Sequence, residues 1–277
     1  MAITLHDKYA KKIQEKFVKE SVIHGLLSDE YNWSGVKTVK VSTLETVPLV
    51  DYTRTGTSRY GTPKEMEDTV QELTLTQDKS FTMTIDKGNN ADQSGIKAAG
   101  KALALEIKEQ VVPMMDKYVL NVLATGAGTV KENAAAPTKE DVCERIDAGV
   151  AVLDEAEVPD SVRTLLVSSQ TYTVLKQAGM FDLNADKVAE KAFSKGVVGS
   201  YSNMRVVKVP ASRLPANVNF MIVYKGSGTN PVKLNDTKVH QDPPGISGNL
   251  LEGRVYYDAF VFENKKKGIY LDKTQSA

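Results

Sequence analysis

The chain has 277 residues, 41% hydrophobic and 25% charged, which excludes global disorder and a membrane-embedded chain. Lysine plus arginine and aspartate plus glutamate both number 35, so the formal net charge is zero and the cationic excess of a tight nucleic-acid binder is missing. A single cysteine, Cys143, excludes an intrachain disulfide, and the absence of a long apolar run leads us to expect a soluble chain made inside the cell in a reducing compartment.

Over residues 4–27 the apolar side chains Tyr9, Ile13, Phe17, Val18, Val22, Ile23, Leu26 and Leu27 recur at helical spacing between Lys, Glu and Gln. This predicts an amphipathic arm whose stripe packs either on its own domain or on a neighbour. Residues 36–50 are rich in Val and Thr and read as strand, and residues 52–63 (YTRTGTSRYGTP) as a loop. Leu73, Leu75, Phe81, Met83 and Ile85 alternate with threonines, the period of half-buried strands, broken at Gln77-Asp78-Lys79. Together these segments predict a long two-stranded excursion with a polar, arginine-bearing tip, and such a ribbon is marginal in water unless it lies on something else.

Residues 91–124 carry the most regular helical pattern, with Ile96, Ala99, Leu103, Ile107, Val111, Met114, Tyr118 and Val122 along one face. Pro113 predicts a kink or break after Val111, and Thr125-Gly126-Ala127-Gly128 a stop. Thr138 with Asp141 suggests the cap of a helix presenting Val142, Ile146, Val150 and Leu153. Strands are expected at 164–167, 205–209, 218–224, 232–239 and 254–263, with a short helix at 170–177. This mixture predicts an α+β fold rather than a doubly wound α/β sheet.

The chemistry-bearing residues do not assemble into a catalytic pattern. His6, His24 and His240 have no HExxH or CxxC context, and Cys143 reads as core filler within a helix. The glycine-rich stretches at 126–128, 226–228 and 245–248 match no phosphate-binding motif, and DKGNNADQSG, starting at Asp86, reads as an ordinary helix start rather than a calcium loop. Lys265-Lys266-Lys267 is either a solvated hairpin turn or a weak phosphate contact. No catalytic residue, cofactor or metal ligand is nominated. Zero net charge also removes the self-repulsion that keeps proteins apart, which eases association in many copies.

The order of these segments, and several strings within them, resemble the major capsid proteins of tailed double-stranded DNA bacteriophages, whose fold is shared with encapsulins. WSGVKTVKVSTLETVPLVDYTRTGTSRYGT is similar to the strand leading into the family's extended loop, and LTLTQDKSFTMTID to the return strand. VVPMMDKYVLNVLA resembles the later half of its spine helix, with Pro113, Asp116 and Tyr118 at the family's spacing. RTLLVSSQTYTVLKQAGMF and SYSNMRVVKVPASRLP resemble the axial domain, and EGRVYYDAFVFENKKKGIY the terminal strand of the peripheral domain.

The resemblance implies an N-terminal arm (1–35), an extended β loop with its leading strand (36–88), a spine helix of the peripheral domain (89–130), an axial domain (131–240) and C-terminal peripheral strands (241–277). It implies a structural subunit, not an enzyme, that forms pentamers and hexamers of an icosahedral capsid around double-stranded DNA. A portal, a separate scaffolding protein and weak non-specific DNA contact are implied as partners, with no membrane and with assembly in a bacterial cytoplasm. The start of the chain close to the arm carries the expectation that no long scaffold-like extension precedes it. Arg54, Arg59 and Tyr60 at the loop tip, with Phe17 on the arm, are the expected inter-subunit contacts. An encapsulin shell around cargo enzymes, and a soluble enzyme with an unrecognised site, remain as alternatives at this stage.

Overall fold

The computed structural model describes residues 21–29, 31, 33, 37–92, 98–179 and 197–275. Strand β1 (Thr38–Leu44) pairs antiparallel with β2 (Asp68–Thr74), Thr38 opposite Thr74 and Leu44 opposite Asp68, as a two-stranded ribbon. The leading strand is therefore shorter than the 36–50 read from its Val and Thr content, because the strand pairing ends at Leu44 opposite Asp68, with one further backbone bond at Glu45. Strand β3 (Gln77–Asp86) does not extend the ribbon as expected. It joins a three-stranded sheet: the break expected at Gln77-Asp78-Lys79 falls inside β3, paired with Tyr257, Tyr256 and Val255, and the chain changes partner at Leu75-Thr76 instead.

Asp86 starts helix α1 (Lys87–Asp92) by accepting the amide of Asn89 at 2.9 Å, the ordinary helix start that the sequence predicts. The long helical pattern appears as α2 (Ala99–Glu106), a π turn (Ile107–Val111) and α3 (Val112–Thr125). Proline lacks the N–H that would bond four residues back and its ring crowds that carbonyl. Here the helix widens just before Pro113, and the Val112 amide bonds five residues back to Ile107. The predicted kink thus takes the form of a π turn.

Strand β4 (Thr129–Asn133) follows, then α4 (Val142–Glu155), β5 (Arg163–Ser168), α5 (Ser169–Gln177), β6 (Val197–Tyr201), β7 (Met204–Val209) and β8 (Val218–Tyr224). Thr138 does not cap α4. The capping position is Asp141, whose carboxylate accepts the Thr138 amide at 2.6 Å. The final segment holds β9 (Gly228–Thr229), β10 (Val232–Gln241), β11 (Gly248–Tyr257), β12 (Phe260–Val261) and β13 (Ile269–Thr274). The strand expected at 254–263 is in fact the end of β11, broken at Asp258, and then β12. Lys265–Lys267 lie in a 3-10 helical turn, Glu263–Gly268, instead of a hairpin turn.

A six-stranded sheet in the order β4-β13-β8-β5-β7-β6 forms the centre. It takes in β4, which straddles the start of the 131–240 segment, and β13, which lies beyond its end. Successive side chains of β5 point to opposite faces, so Leu165 and Val167 pack with α4 and α5 while Leu166 packs with α3. On the α3 face Val119, Leu120 and Leu123 meet Val22, Ile23, Leu26 and Leu27, all buried. These four residues of the predicted arm pack on their own domain. The fold is α+β, as expected, and its central sheet mixes parallel and antiparallel pairs.

Candidate functional site

Among the described residues, those of the ribbon find least cover for their side chains. Near its root it is ordinary protein interior: Leu73 and Leu75 are buried with Trp33 and Phe262, and Val39 and Val41 pack against them. Thr38 and Thr74 hydroxyls meet at 2.8 Å and Lys40 pairs with Glu72 at 2.6 Å, cross-strand contacts that fix register. Beyond Leu44 and Asp68 the strands part, held by one bond from the Glu45 amide to the Glu67 carbonyl at 3.0 Å.

The tip nevertheless has defined geometry. The Thr53 amide donates to the Arg59 carbonyl and the Gly61 amide to the Ser58 carbonyl, both at 3.1 Å, while Arg59 Nε donates to the Gly56 carbonyl at 3.1 Å. Gly61 sits at φ +79°, and a Cβ there would meet Val50 Cγ2 at 2.8 Å, so this turn requires glycine. Tyr52 and Tyr60 pack edge to face at 5.0 Å.

The structure brings Arg59 and Tyr60 together in this turn, with Tyr60 85% exposed, and leaves Arg54 exposed close by. Phe17 lies outside the described residues. Sequence reasoning missed the apolar half of the site. Eight of the thirteen exposed large apolar side chains among the described residues fall between Leu44 and Val70, Leu49 being wholly exposed. Such a concentration on one projection, unlike scattered exposed residues, marks an interaction surface. Its signal was present, since Leu44, Val47, Leu49 and Val50 run together, but a strand reading through residue 50 placed them half inside.

Charge is segregated along the same projection. Arg54 and Arg59 sit at the tip, whereas Glu45, Glu65 and Glu67 line a groove at the neck with Val47, Pro48 and Lys64.

The root is fixed by a buried carboxylate. Asp258 accepts the Thr76 amide at 2.7 Å, the Thr76 hydroxyl at 2.9 Å, the Tyr118 hydroxyl at 2.7 Å and the Ala259 amide at 2.8 Å. It thereby ties the point where the ribbon leaves the body to helix α3. Burial, reinforced by the hydrogen bond to Asp258, pushes the Tyr118 phenol up to about 12. Gln71 adds a second tie, donating to the Val261 carbonyl at 3.0 Å and accepting the Glu263 amide at 3.1 Å.

A second buried carboxylate holds the end of the arm. Asp116, wholly buried, accepts the Ser21 hydroxyl at 2.8 Å, the Val22 amide at 3.0 Å and Arg213 Nη1 at 2.5 Å. Helix, arm and the loop after β7 meet on one side chain. The three lysines 265–267 are exposed beside the ribbon root, Lys266 paired with Glu263 at 3.1 Å. Among the described residues no group of three His, Cys, Asp or Glu side chains could hold a metal ion, and no helix is long and apolar enough to cross a membrane.

No family model matches the sequence, and no curated protein matches it. Solved structures do match. A chain from a structure of Mycobacterium phage Che8 is 17% identical, with a TM-score of 0.75 over 97% of this chain and 96% of that one. A chain from the capsid of cyanophage P-SCSP1u is 12% identical, TM-score 0.75, over 98% and 93%. A chain from the mature capsid of bacteriophage PhiM1 is 11% identical, TM-score 0.68, over 100% and 93%. These likenesses establish the fold along nearly the whole chain.

Proposed function

We propose that this chain, which has the fold of phage capsid proteins, is the structural subunit of a tailed-phage capsid, assembling as pentamers and hexamers into an icosahedral shell around double-stranded DNA. The observation that carries the reading is that the fold likeness to capsid chains runs end to end in both partners of each comparison. The exposed apolar ribbon supports it independently, because a projection of this kind is stable in water only when it lies on another surface.

In this reading the segments 1–35, 36–88, 89–130, 131–240 and 241–277 act as arm, extended loop, spine, axial domain and terminal peripheral strands. Arg54, Arg59 and Tyr60 touch a neighbouring subunit. Mechanism is then interface geometry: each copy presents a ribbon and receives one, a head-to-tail contact that closes into rings when the rotation between copies is a whole fraction of a turn. Lys265–Lys267 contribute a weak, salt-dependent attraction to packaged DNA. A portal and a separate scaffolding protein join it in the cytoplasm of the bacterial host, where they act on a chain that closes particles by itself.

Negative-stain microscopy of the chain expressed alone tests the reading. Closed particles are expected, and particles from infected cells should hold nucleic acid rather than a cargo enzyme, by staining and mass spectrometry. Elution as a monomer at high concentration, without particles, overturns it.

A further inference from the structure

Strand β4 lies at one edge of the central sheet, pairs with β13 alone and buries none of its residues fully, Val130, Lys131 and Glu132 being exposed. So little apolar cover marks a segment that opens before the rest of the sheet. Its last side chain is held by a buried acid: Asn133 Nδ2 donates at 2.6 Å to Oδ2 of Asp272 on β13, a carboxylate with no exposed surface. The other oxygen, Oδ1, accepts Asn219 Nδ2 at 2.7 Å. Asn219 sits where the register of β8 on β13 shifts, between Phe220 opposite Asp272 and Val218 opposite Lys273, so it has no cross-strand partner on β13. Irregularities of this kind re-aim a side chain, and this one meets the acid. Strand β8 is central and buried along nearly all its length. The Asn219 end of the arrangement is therefore fixed, and the Asn133 end is the one that yields.

Both donors to Asp272 are neutral, whereas Asp116 has the Arg213 guanidinium and Asp258 four donors. The charges around it do not supply a counter-ion. On the α4 side Arg145 and Asp141 hold each other, Nη2 to Oδ2 at 2.5 Å and Nε to Oδ2 at 2.8 Å. On β4, Lys131 stands opposite Asp272 in register but is exposed, and Glu132 pairs with Lys273 at 2.7 Å. Strand β8 brings only Phe220 and Asn219, and the Tyr270 phenol on β13, itself pushed up by burial, stays neutral. We infer that Asp272 is a proton-operated latch on β4: the protonated carboxyl closes this edge of the sheet, and ionisation loosens β4 together with the linker to α4. Protonated, the acid keeps an oxygen for one amide and offers a proton that the Asn133 amide oxygen receives after a half-turn of the group. Burial, with Asp141 adding to it, raises the carboxyl above the usual carboxylate range against the pull of Asn219, Arg145 and Asn133. The stability this contributes is fully present below the unfolded value of about 3.9 and is lost as pH rises through the folded one, so the edge is tightest in acid. Strand β4 carries the chain from α3 into the 131–240 segment, and the latch thus sets how firmly that segment is tethered to the spine. The inference concerns the single chain and stands apart from the shell reading.

Hydrogen–deuterium exchange of the full chain between about pH 4 and 8, corrected for the intrinsic pH dependence of exchange, tests it. Protection of peptides spanning 129–138 is expected to fall as pH rises, by about tenfold for each unit by which the folded carboxyl exceeds its unfolded value, while peptides of β5 and β8 hold theirs. Asp272→Asn keeps the shape and removes the charge, and should stay protected across the range. The same pH dependence in wild type and variant overturns the latch. A variant less protected than wild type at the alkaline end also overturns it, since the charge would then be holding the edge closed. If Asp272→Asn does not fold, the carbon-13 titration of the Asp272 carboxyl in the wild-type chain decides. A midpoint above the usual carboxylate value, moved further up by Asn133→Ala, supports the latch, and a midpoint at or below that value overturns it. Each readout serves for free subunits and for particles alike, so failure of the latch leaves the shell reading untouched.

Discussion

Asp116, Asp258 and Asp272 are buried carboxylates that each join segments far apart in the chain. Burying a charge is costly, and it is offset only where donors converge on it. Asp116 has three donors and Asp258 four, while Asp272 accepts the side-chain amides of Asn133 at 2.6 Å and Asn219 at 2.7 Å. For Asp272 burial still prevails over these bonds and holds its pKa above the usual carboxylate value. Removing Arg213 strands the Asp116 charge, so Arg213→Met should destabilise the unassembled subunit by about 3–5 kcal/mol, read as a fall in the urea midpoint. A midpoint within error of wild type would mean that the pair contributes nothing. The raised Tyr118 phenol gives a second expectation. A group whose folded pKa lies above its unfolded value contributes stability present below the unfolded value, here about 10, and lost as pH rises toward 12. Tyr118→Phe should flatten that part of the stability profile, measured by denaturation from pH 9 to 12. Pro113, Asp116 and Tyr118 were legible as a spacing. Their partners were not, because Arg213 and Asp258 lie 97 and 140 residues further along the chain.

Helices and strands were legible where one face is buried and the other wet. The sequence pattern located the spine helix, α4, β5, β7 and β8, and of these α3, α4 and the three strands bury apolar residues in the six-stranded core, while β6 went unforeseen. It failed where pairing changes. Leu73 and Phe81 share one alternating pattern, yet they belong to different sheets, since the period of two records which face is buried and not which strand lies alongside. Phe81 opposite Gly253 is a case in point, a cross-strand match that neither segment announces alone. Gly253→Val would overpack this point and should cost about 1–3 kcal/mol, with the Phe81 ring displaced. Thermal melts of unassembled subunits check the loss, and an unchanged melting temperature would mean that the ring moves aside freely.

In the shell proposed for this chain the ribbon's apolar surface and tip charges are expected to act together. Deleting residues 56–61 removes the turn, Arg59 and Tyr60 without touching the root held by Asp258 and Gln71. The subunit should fold with a near-wild-type circular dichroism spectrum and melt, and fail to close shells. Closed particles at normal yield in micrographs of this deletion would show that the tip is dispensable. Salt gives a related expectation. Arg54 and Arg59 are exposed, so their attraction to a partner is screened over about 8 Å at physiological ionic strength, and the rate of assembly should respond to salt more than the stability of finished particles.

The sequence by itself determined the fold class, the order of the main elements, the close bounds of β5, β7, β8 and α4, the proline-induced irregularity in the spine and the position of the exposed tip. Each of these follows from local preference or from the period of burial, and both are written in adjacent residues. Only the tertiary structure decided which strands share a sheet, how Asp116 and Asp258 gather distant segments, and that the exposed tip has apolar flanks and a charged neck. Those features depend on contacts between residues tens to hundreds of positions apart, and on which surfaces remain uncovered once every such contact is made. The polar, arginine-bearing loop foreseen from YTRTGTSRYGTP thus became a preformed aromatic and basic tip on an apolar stalk, because exposure is a property of the folded chain and not of the residues that carry it.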